Sequence, residues 1–281
     1  MFRLRLTLYV VGLLLVVGLT QCARQERAKE VTLKGSDTMV LLGQRWAERW
    51  MATHPGTIVQ VTGGGSGTGI AALINGTTDV CMSSRPIKPA ENAQLARQFG
   101  QPAHETVVAK DGLALYVHES NPLKELTVAQ LKSIYTGAVT DWKDLGGKPG
   151  RINVYGRENN SGTYVYFKEH VLEEADFAAG VQTLPGTAAV VNAVTQDPAG
   201  IGYGGAAYAK GVRDLAIKVD DATPGVLPSL ETVRAGSYPI SRALYFYTRK
   251  APEGAVGEFI GFALSDSGQA VVNQVGYFPV R

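Results

Sequence analysis

Three short stretches carry side chains suited to gripping a small anion: Ser36-Asp37-Thr38, Ser66-Gly67-Thr68-Gly69 and Ser161-Gly162-Thr163. Each places hydroxyl or glycine residues where a strand is expected to end and a helix to begin. The first turn of a helix has amides that no helical carbonyl reaches, and its dipole is positive there, so an oxyanion is stabilised at that end. Hydroxyls add donors that rotate to fit. Five of the seven residues from Gly63 to Gly69 are glycine, an entropic cost that something approaching the backbone closely would offset. Two arginines stand near these stretches. Arg157 opens Arg157-Glu158-Asn159-Asn160-Ser161-Gly162-Thr163, and Arg85 follows a short strand in Ser83-Ser84-Arg85-Pro86, at a sheet edge where open α/β folds collect ligands. A guanidinium holds an oxyanion through two parallel hydrogen bonds. The candidate anion ligands are therefore Ser36, Asp37, Thr38, Ser66, Gly67, Arg85, Arg157, Ser161, Gly162 and Thr163.

Plainer roles compete with these. Asp37 or Thr38 can simply cap a helix, the glycine run can be a loose loop, and Arg85 can form a surface ion pair. The glycine run matches no familiar nucleotide motif, because it lacks the Lys-Ser/Thr of a P-loop and the glycine spacing of a dinucleotide fingerprint. Nor is it a nucleophile elbow, since Thr68 stands two places after Ser66.

The elements that must position these residues follow a strand-then-helix rhythm. Val31–Leu33 precedes a helix over 39–50, Ile58–Val61 one over 68–74, and Asp79–Met82 one over 90–99. The first helix is clearest, with Met39, Leu42, Trp46 and Trp50 at spacings of three and four and charged residues between them. This is α/β architecture with a mainly parallel sheet. A longer strand over 112–118 marks a crossing into a second lobe, where further strands and helices run through 152–155, 161–171, 188–195 and 201–203. A return strand over 243–248 leads to a last helix over 257–264 and a tail over 277–280. Two lobes, 31–111 with 243–281 and 112–242, joined by two extended strands, would open and close by a hinge.

The N-terminus has Arg3 and Arg5, an apolar run from Leu6 to Leu19, and then Thr20-Gln21-Cys22, which is the pattern of an export signal over 1–21. The run is shorter than the ~20 residues of a membrane-spanning helix. Polar residues over 22–30 suit a flexible tether. Beyond the signal, 25 basic side chains (27 less Arg3 and Arg5) face 25 acidic ones, which gives no support to a nucleic-acid partner. Cys81 lies in the apolar Val80-Cys81-Met82 and is expected to be a buried thiol.

Several of these motifs together resemble the shorter branch of the phosphate-binding proteins of bacterial phosphate ABC transporters. They are Lys34-Gly35-Ser36-Asp37-Thr38, the Gly63–Gly69 run, Ser83-Ser84-Arg85-Pro86, Gly137-Ala138-Val139-Thr140-Asp141-Trp142 and Gly156 through Thr163. The resemblance covers almost the whole chain. It implies a two-lobed type II periplasmic-binding-protein fold with two mixed sheets joined by hinge strands, and inorganic phosphate held between the lobes. It also implies delivery to ABC permease subunits, a non-enzymatic role and no cofactor or metal. Leu19-Thr20-Gln21-Cys22 resembles a lipoprotein processing site, which implies a lipidated Cys22 and attachment to the membrane at the periplasm or cell surface of a protein expected to be monomeric. One departure stands out: where the longer branch has a proton-accepting aspartate, this chain has Ser84-Arg85. Asp37 is the acid placed to take that role, with Arg85 offsetting its charge. A receptor for another oxyanion, a phosphate sensor or an adhesion protein would use the same residues. An exported serine phosphatase or esterase would need a base near Ser66 or Ser161, and His54, His104, His118 and His170 share no motif with either.

Overall fold

The computed structural model describes residues 29–281. The export signal, Cys22 and the tether as far as residue 28 lie outside the described residues. The last two tether positions, Lys29 and Glu30, already belong to a strand, because they pair with Thr57 and Ile58.

The chain opens with three strand–helix units. β1 (Lys29–Gly35) leads into α1 (Asp37–Thr53), β2 (Thr57–Thr62) into α2 (Ser66–Ile74), and β3 (Val80–Ser83) into α3 (Pro89–Phe99). β1 lies between β2 and β3 and is parallel to both. The apolar face of α1, with Met39, Leu42, Trp46 and Trp50, is buried against this sheet. Cys81 is free and buried here, and burial pushes its thiol pKa up, so it is an inert part of the packing.

β4 (His104–Val117) is the long strand of the fold. It begins eight residues before the expected start at Gly112, because its first half pairs antiparallel with β10 (Ser241–Thr248). Its second half pairs antiparallel with β8 (Gly200–Gly205) and β9 (Arg213–Lys218). Between these come β5 (Glu125–Thr127), α4 (Val128–Tyr135), β6 (Asn153–Arg157), α5 (Gly162–His170), β7 (Gln182–Leu184) and α6 (Gly186–Gln196), followed later by α7 (Leu230–Arg234). β6 is parallel to β7 and β8, and β5 to β9. The parallel strands of each half are thus joined by strands running against them, and the sheet is mixed rather than mainly parallel. β10 leads to α8 (Gly254–Leu264) and α9 (Asp266–Val275). The sequence reading missed α9, which begins where the Ser265 hydroxyl caps the Gly268 amide at 3.2 Å and which buries Val271 and Val272.

Two large apolar cores form beside two smaller clusters, one around Ile70, Leu73 and Cys81 and one around Tyr116, Val190 and Val194. One large core holds Val31, Leu33, Trp46, Val80, Ala109, Leu244, Phe246 and Phe259, and the other Leu113, Leu115, Tyr135, Phe167, Ile201, Tyr203 and Ile240. β4 changes core between Ala109 and Leu113, and the returning chain changes between Ile240 and Leu244. No helix among the described residues is long and apolar enough to cross a membrane.

Candidate functional site

The starts of α1, α2 and α5 meet where the two cores face each other. Ser36 occupies the N-cap position of α1, ahead of Asp37 and Thr38, yet its hydroxyl makes no capping bond. It donates instead to Ser84 Oγ at 2.9 Å, and Ser84 Oγ lies 3.3 Å from the hydroxyl of Ser66, the first residue of α2. The Ser84 amide also donates to Ser66 Oγ at 3.1 Å. From the other half, Ser161 caps α5 by accepting from the amides of Thr163 and Tyr164 at 3.2 and 3.4 Å. Thr163 Oγ1 lies 3.0 Å from Thr38 Oγ1. Ser36, Thr38, Ser66, Ser84, Ser161 and Thr163 are all buried, and so are the arginines described next.

Arg157 enters from the end of β6. Its Nη1 donates to Thr187 Oγ1 on α6 at 2.8 Å and its Nη2 to Asp37 Oδ2 on α1 at 2.7 Å. Burial lowers its pKa, and the Asp37 carboxylate opposes that shift and keeps the cation favoured. Its Nε is buried with no hydrogen-bond partner among the described residues. Asp37 Oδ1 accepts from the Gly64 amide at 2.8 Å. Both carboxylate oxygens are thus held, and each keeps a further lone pair able to accept from a protonated oxyanion.

The glycines permit this approach of the two halves. Gly65 has φ +90, and a Cβ there would fall 2.7 Å from Asn160 O. At Gly162 a Cβ would overlap Ser66 Oγ and lie 2.7 Å from Ser84 Oγ. What approaches the glycine run is therefore the Asn160 loop: the Gly67 amide donates to Asn160 O at 2.9 Å, and Asn160 Nδ2 to Gly64 O at 3.1 Å.

Two expected ligands are committed elsewhere. The Gly67 N–H is taken by Asn160, so this residue joins the halves instead of offering a donor. Arg85 ends β3 as expected, but its guanidinium turns to Glu91 at 2.7 and 2.9 Å and to Pro86 O at 2.9 Å. The cation beside Asp37 is Arg157. A second arginine, which the sequence reading missed, lies behind the site: Arg242 donates to Thr163 Oγ1 at 3.0 Å and to Asp111 Oδ2 at 2.8 Å. Ser84 and Thr187 were also missed as partners.

Three histidines are spent locally: His54 Nδ1 lies 3.0 Å from Trp50 O, His118 Nδ1 2.8 Å from Ser120 Oγ, and His170 Nδ1 3.0 Å from Tyr166 O. The remaining one, His104, is exposed at the start of β4. Among the described residues Ser66 bonds to Ser84 and Ser161 to the α5 amides, and no histidine bonds to either.

The carboxylates of Asp37 and Asp111 balance the two guanidinium charges, so a bound anion would meet helix dipoles and oriented N–H and O–H groups rather than surplus charge. The chain matches the model of the PBP superfamily domain over residues 20–267. It is 36% identical over 265 residues to the phosphate-binding protein PstS of Pseudomonas aeruginosa, with 88% of this chain and 81% of that protein covered. Among solved structures, it resembles a Clostridium perfringens protein described as a phosphate ABC transporter substrate-binding protein and solved with bound phosphate. The TM-score is 0.80 at 31% identity, covering 90% of this chain and 100% of that one. An ABC-type phosphate transport receptor from Vibrio cholerae aligns with a TM-score of 0.71 at 27% identity, covering 88% of this chain and 99% of that one. The fold is the two-lobed α/β type II periplasmic-binding-protein fold, and the chain belongs to the PBP superfamily and, within it, to the family of the phosphate-binding proteins PstS.

Proposed function

We propose that this protein is the extracytoplasmic receptor of a phosphate ABC transporter, a binding protein and not an enzyme, which captures inorganic phosphate between its lobes and hands it to the permease. The observation that carries this reading is the meeting of three helix starts, from both halves of the molecule, around buried hydroxyls and the Arg157 guanidinium. The two halves are lobes 31–111 with 243–281 and 112–242, and the passage of β4 from one large core to the other between Ala109 and Leu113 supports that division. Phosphate is bound by Ser36, Thr38 and Ser66 from the first lobe and by Arg157, Ser161, Gly162 and Thr163 from the second. Asp37 holds Arg157 and accepts the proton of hydrogen phosphate, a bond that fully ionised sulfate lacks. Half a dozen charge-assisted bonds at roughly 1.5–3 kcal/mol each exceed the ~8 kcal/mol of micromolar affinity, leaving a surplus for desolvation and closure.

Titration calorimetry of the ligand-free protein with phosphate and then sulfate at neutral pH tests the reading. Saturable phosphate binding without matching sulfate binding is expected. No heat with phosphate from a folded, ligand-free sample overturns it. Asp37→Asn narrows the preference for phosphate over sulfate, and an unchanged preference removes Asp37 from that role. The protein works as a monomer tethered through a lipid on Cys22, so Cys22→Ser releases it from membranes without altering phosphate affinity.

A further inference from the structure

Asp111 and Arg242 are partners in register on β4 and β10, the two strands that carry the chain between the cores. Asp111 lies between Ala109, in the first core, and Leu113, in the second. Arg242 Nε and Nη2 both donate to Asp111 Oδ2, at 3.1 and 2.8 Å, and the Arg242 Cζ sits 5.4 Å from the centre of the Tyr166 ring. The pair is buried, at 0% and 7% exposure. Such a pair adds little to folding, because desolvation of both charges consumes most of their attraction, and apolar residues at this register would serve a hinge as well. Its reach argues for another role. Arg242 Nη2 also donates to Thr163 Oγ1 at 3.0 Å, and Thr163 Oγ1 touches Thr38 Oγ1 at 3.0 Å on the opposite lobe.

Counting hydrogens along these contacts shows how many remain for a ligand. Arginine only donates, so a Thr163 lone pair is occupied by Arg242 and the Thr163 hydrogen cannot point there. Thr163 and Thr38 have two hydroxyl hydrogens between them. One bridges the two oxygens, and the other is left to point at a ligand, whichever residue carries it. A doubly ionised oxyanion needs donors of this kind.

We infer that Arg242, steadied by Asp111, is a positioning residue of the anion site that turns the Thr163–Thr38 hydroxyl pair into an obligatory donor and links the hinge strands to closure on the ligand. This rests on the phosphate reading above.

A double-mutant cycle tests it, with phosphate affinity measured by calorimetry. Asp111→Asn/Arg242→Gln removes both charges together, so no unpaired charge is buried, and is expected to weaken phosphate binding about tenfold or more, the size of one charge-assisted hydrogen bond. In a Thr163→Val background the same change is expected to cost less than about threefold, because the hydroxyl it acts on is gone. Arg242→Lys keeps the charge but has no planar fork to span Asp111 and Thr163, and should fall between. It also carries the cycle if the double variant does not fold. An affinity within twofold of the parent, or an equal loss with and without the Thr163 hydroxyl, overturns the inference. Absence of phosphate binding in the unaltered protein would instead overturn the reading on which it rests.

Discussion

Two buried arginines at the ends of strands, Arg85 after β3 and Arg157 at the end of β6, look alike in sequence and do different things. Each leaves its Nε without a hydrogen-bond partner among the described residues, so the difference lies in what else holds it. Arg85 is closed off by a carboxylate six positions along the chain: both Nη atoms meet Glu91, whose Oε2 also accepts from the Lys88 amide at the start of α3. The contact is complete within one lobe and does not need the other. Arg157 is held by Asp37, 120 positions away on α1 of the opposite lobe, and by Thr187 on α6. The Thr187 bond lies within its own lobe, but the Asp37 bond depends on the two lobes coming together. A buried arginine satisfied by its own segment stabilises a fold, whereas one satisfied across a closing cleft couples closure to whatever lies beside it.

The largest effect expected at the closing cleft needs no charge at all. Gly162 does not have positive φ, so Gly162→Ala suits the start of α5, but its Cβ would meet Ser66 and Ser84 from the other lobe. Phosphate affinity should fall by about 3 kcal/mol, the upper end of what overpacking costs, while thermal stability without ligand stays the same or rises slightly. A variant that binds normally would mean that the lobes close elsewhere. Arg157→Ala comes next and should weaken phosphate by at least about 2 kcal/mol, with Arg157→Lys recovering part of this through charge alone. Equal calorimetric affinities in all three proteins would remove Arg157 from the site and end the contrast with Arg85.

How far the sequence revealed this contrast depends on how local each partner is. The strand–helix rhythm, the buried face of α1 and the capped start of α5 were legible because periodicity and capping act within one or two turns. That Ser36, Thr38, Ser66, Ser161, Gly162 and Thr163 would lie near one another was legible because hydroxyls and glycines before helices share a recognisable chemistry. Arg242 was not, since it sits in an ordinary strand and reaches Thr163 from 79 positions away. The turn of Arg85 toward Glu91 left a trace that went unread: Pro89 at the first helical position and Glu91 in the first turn form a helix start, whose acid lies within reach of the preceding strand end. The early start of β4 was hidden because its pairing partner, β10, comes more than a hundred residues later.

For the Arg85 side of the comparison, substitution should move stability and leave binding alone. Arg85→Ala is expected to cost about 2 kcal/mol in unfolding free energy, since it leaves a partly buried carboxylate unpaired, with phosphate affinity unchanged within about twofold. The cost should depend on pH. Burial alone would raise the Glu91 pKa, but the bonds from Arg85 and the Lys88 amide outweigh it and hold Glu91 below its ordinary value. A folded-state pKa below the unfolded one means the stabilisation is present at neutral pH and lost as pH falls through the folded value. Denaturant titrations should therefore separate Arg85→Ala from its parent at neutral pH and converge at acidic pH. A loss of affinity comparable to that of Arg157→Ala would return Arg85 to the binding site.

The smallest effect concerns a carboxylate with neither kind of partner. Asp214, opposite Tyr116 on β9, has an Oδ1 that is buried without a hydrogen-bond partner among the described residues, and burial pushes its pKa up to about 6. Among the described residues no cation forms an ion pair with it, in contrast to Asp37 and Asp111, so its burial carries an uncompensated cost. An acid whose folded pKa lies above the unfolded value of about 4 binds its proton more tightly when folded. Its ionisation therefore destabilises the protein as pH rises from about 4 to 6, fully above that window and not below it. Asp214→Asn should raise stability at pH 8 by about 1 kcal/mol, allowing for its partial exposure to solvent, or a few degrees in melting temperature. Scanning calorimetry at pH 4 should find no gain. An equal gain at both pH values would show that the substitution acts through packing or hydrogen bonding, and a loss at pH 8 would mean that the ionised carboxylate has a stabilising partner, as Asp37 and Asp111 do.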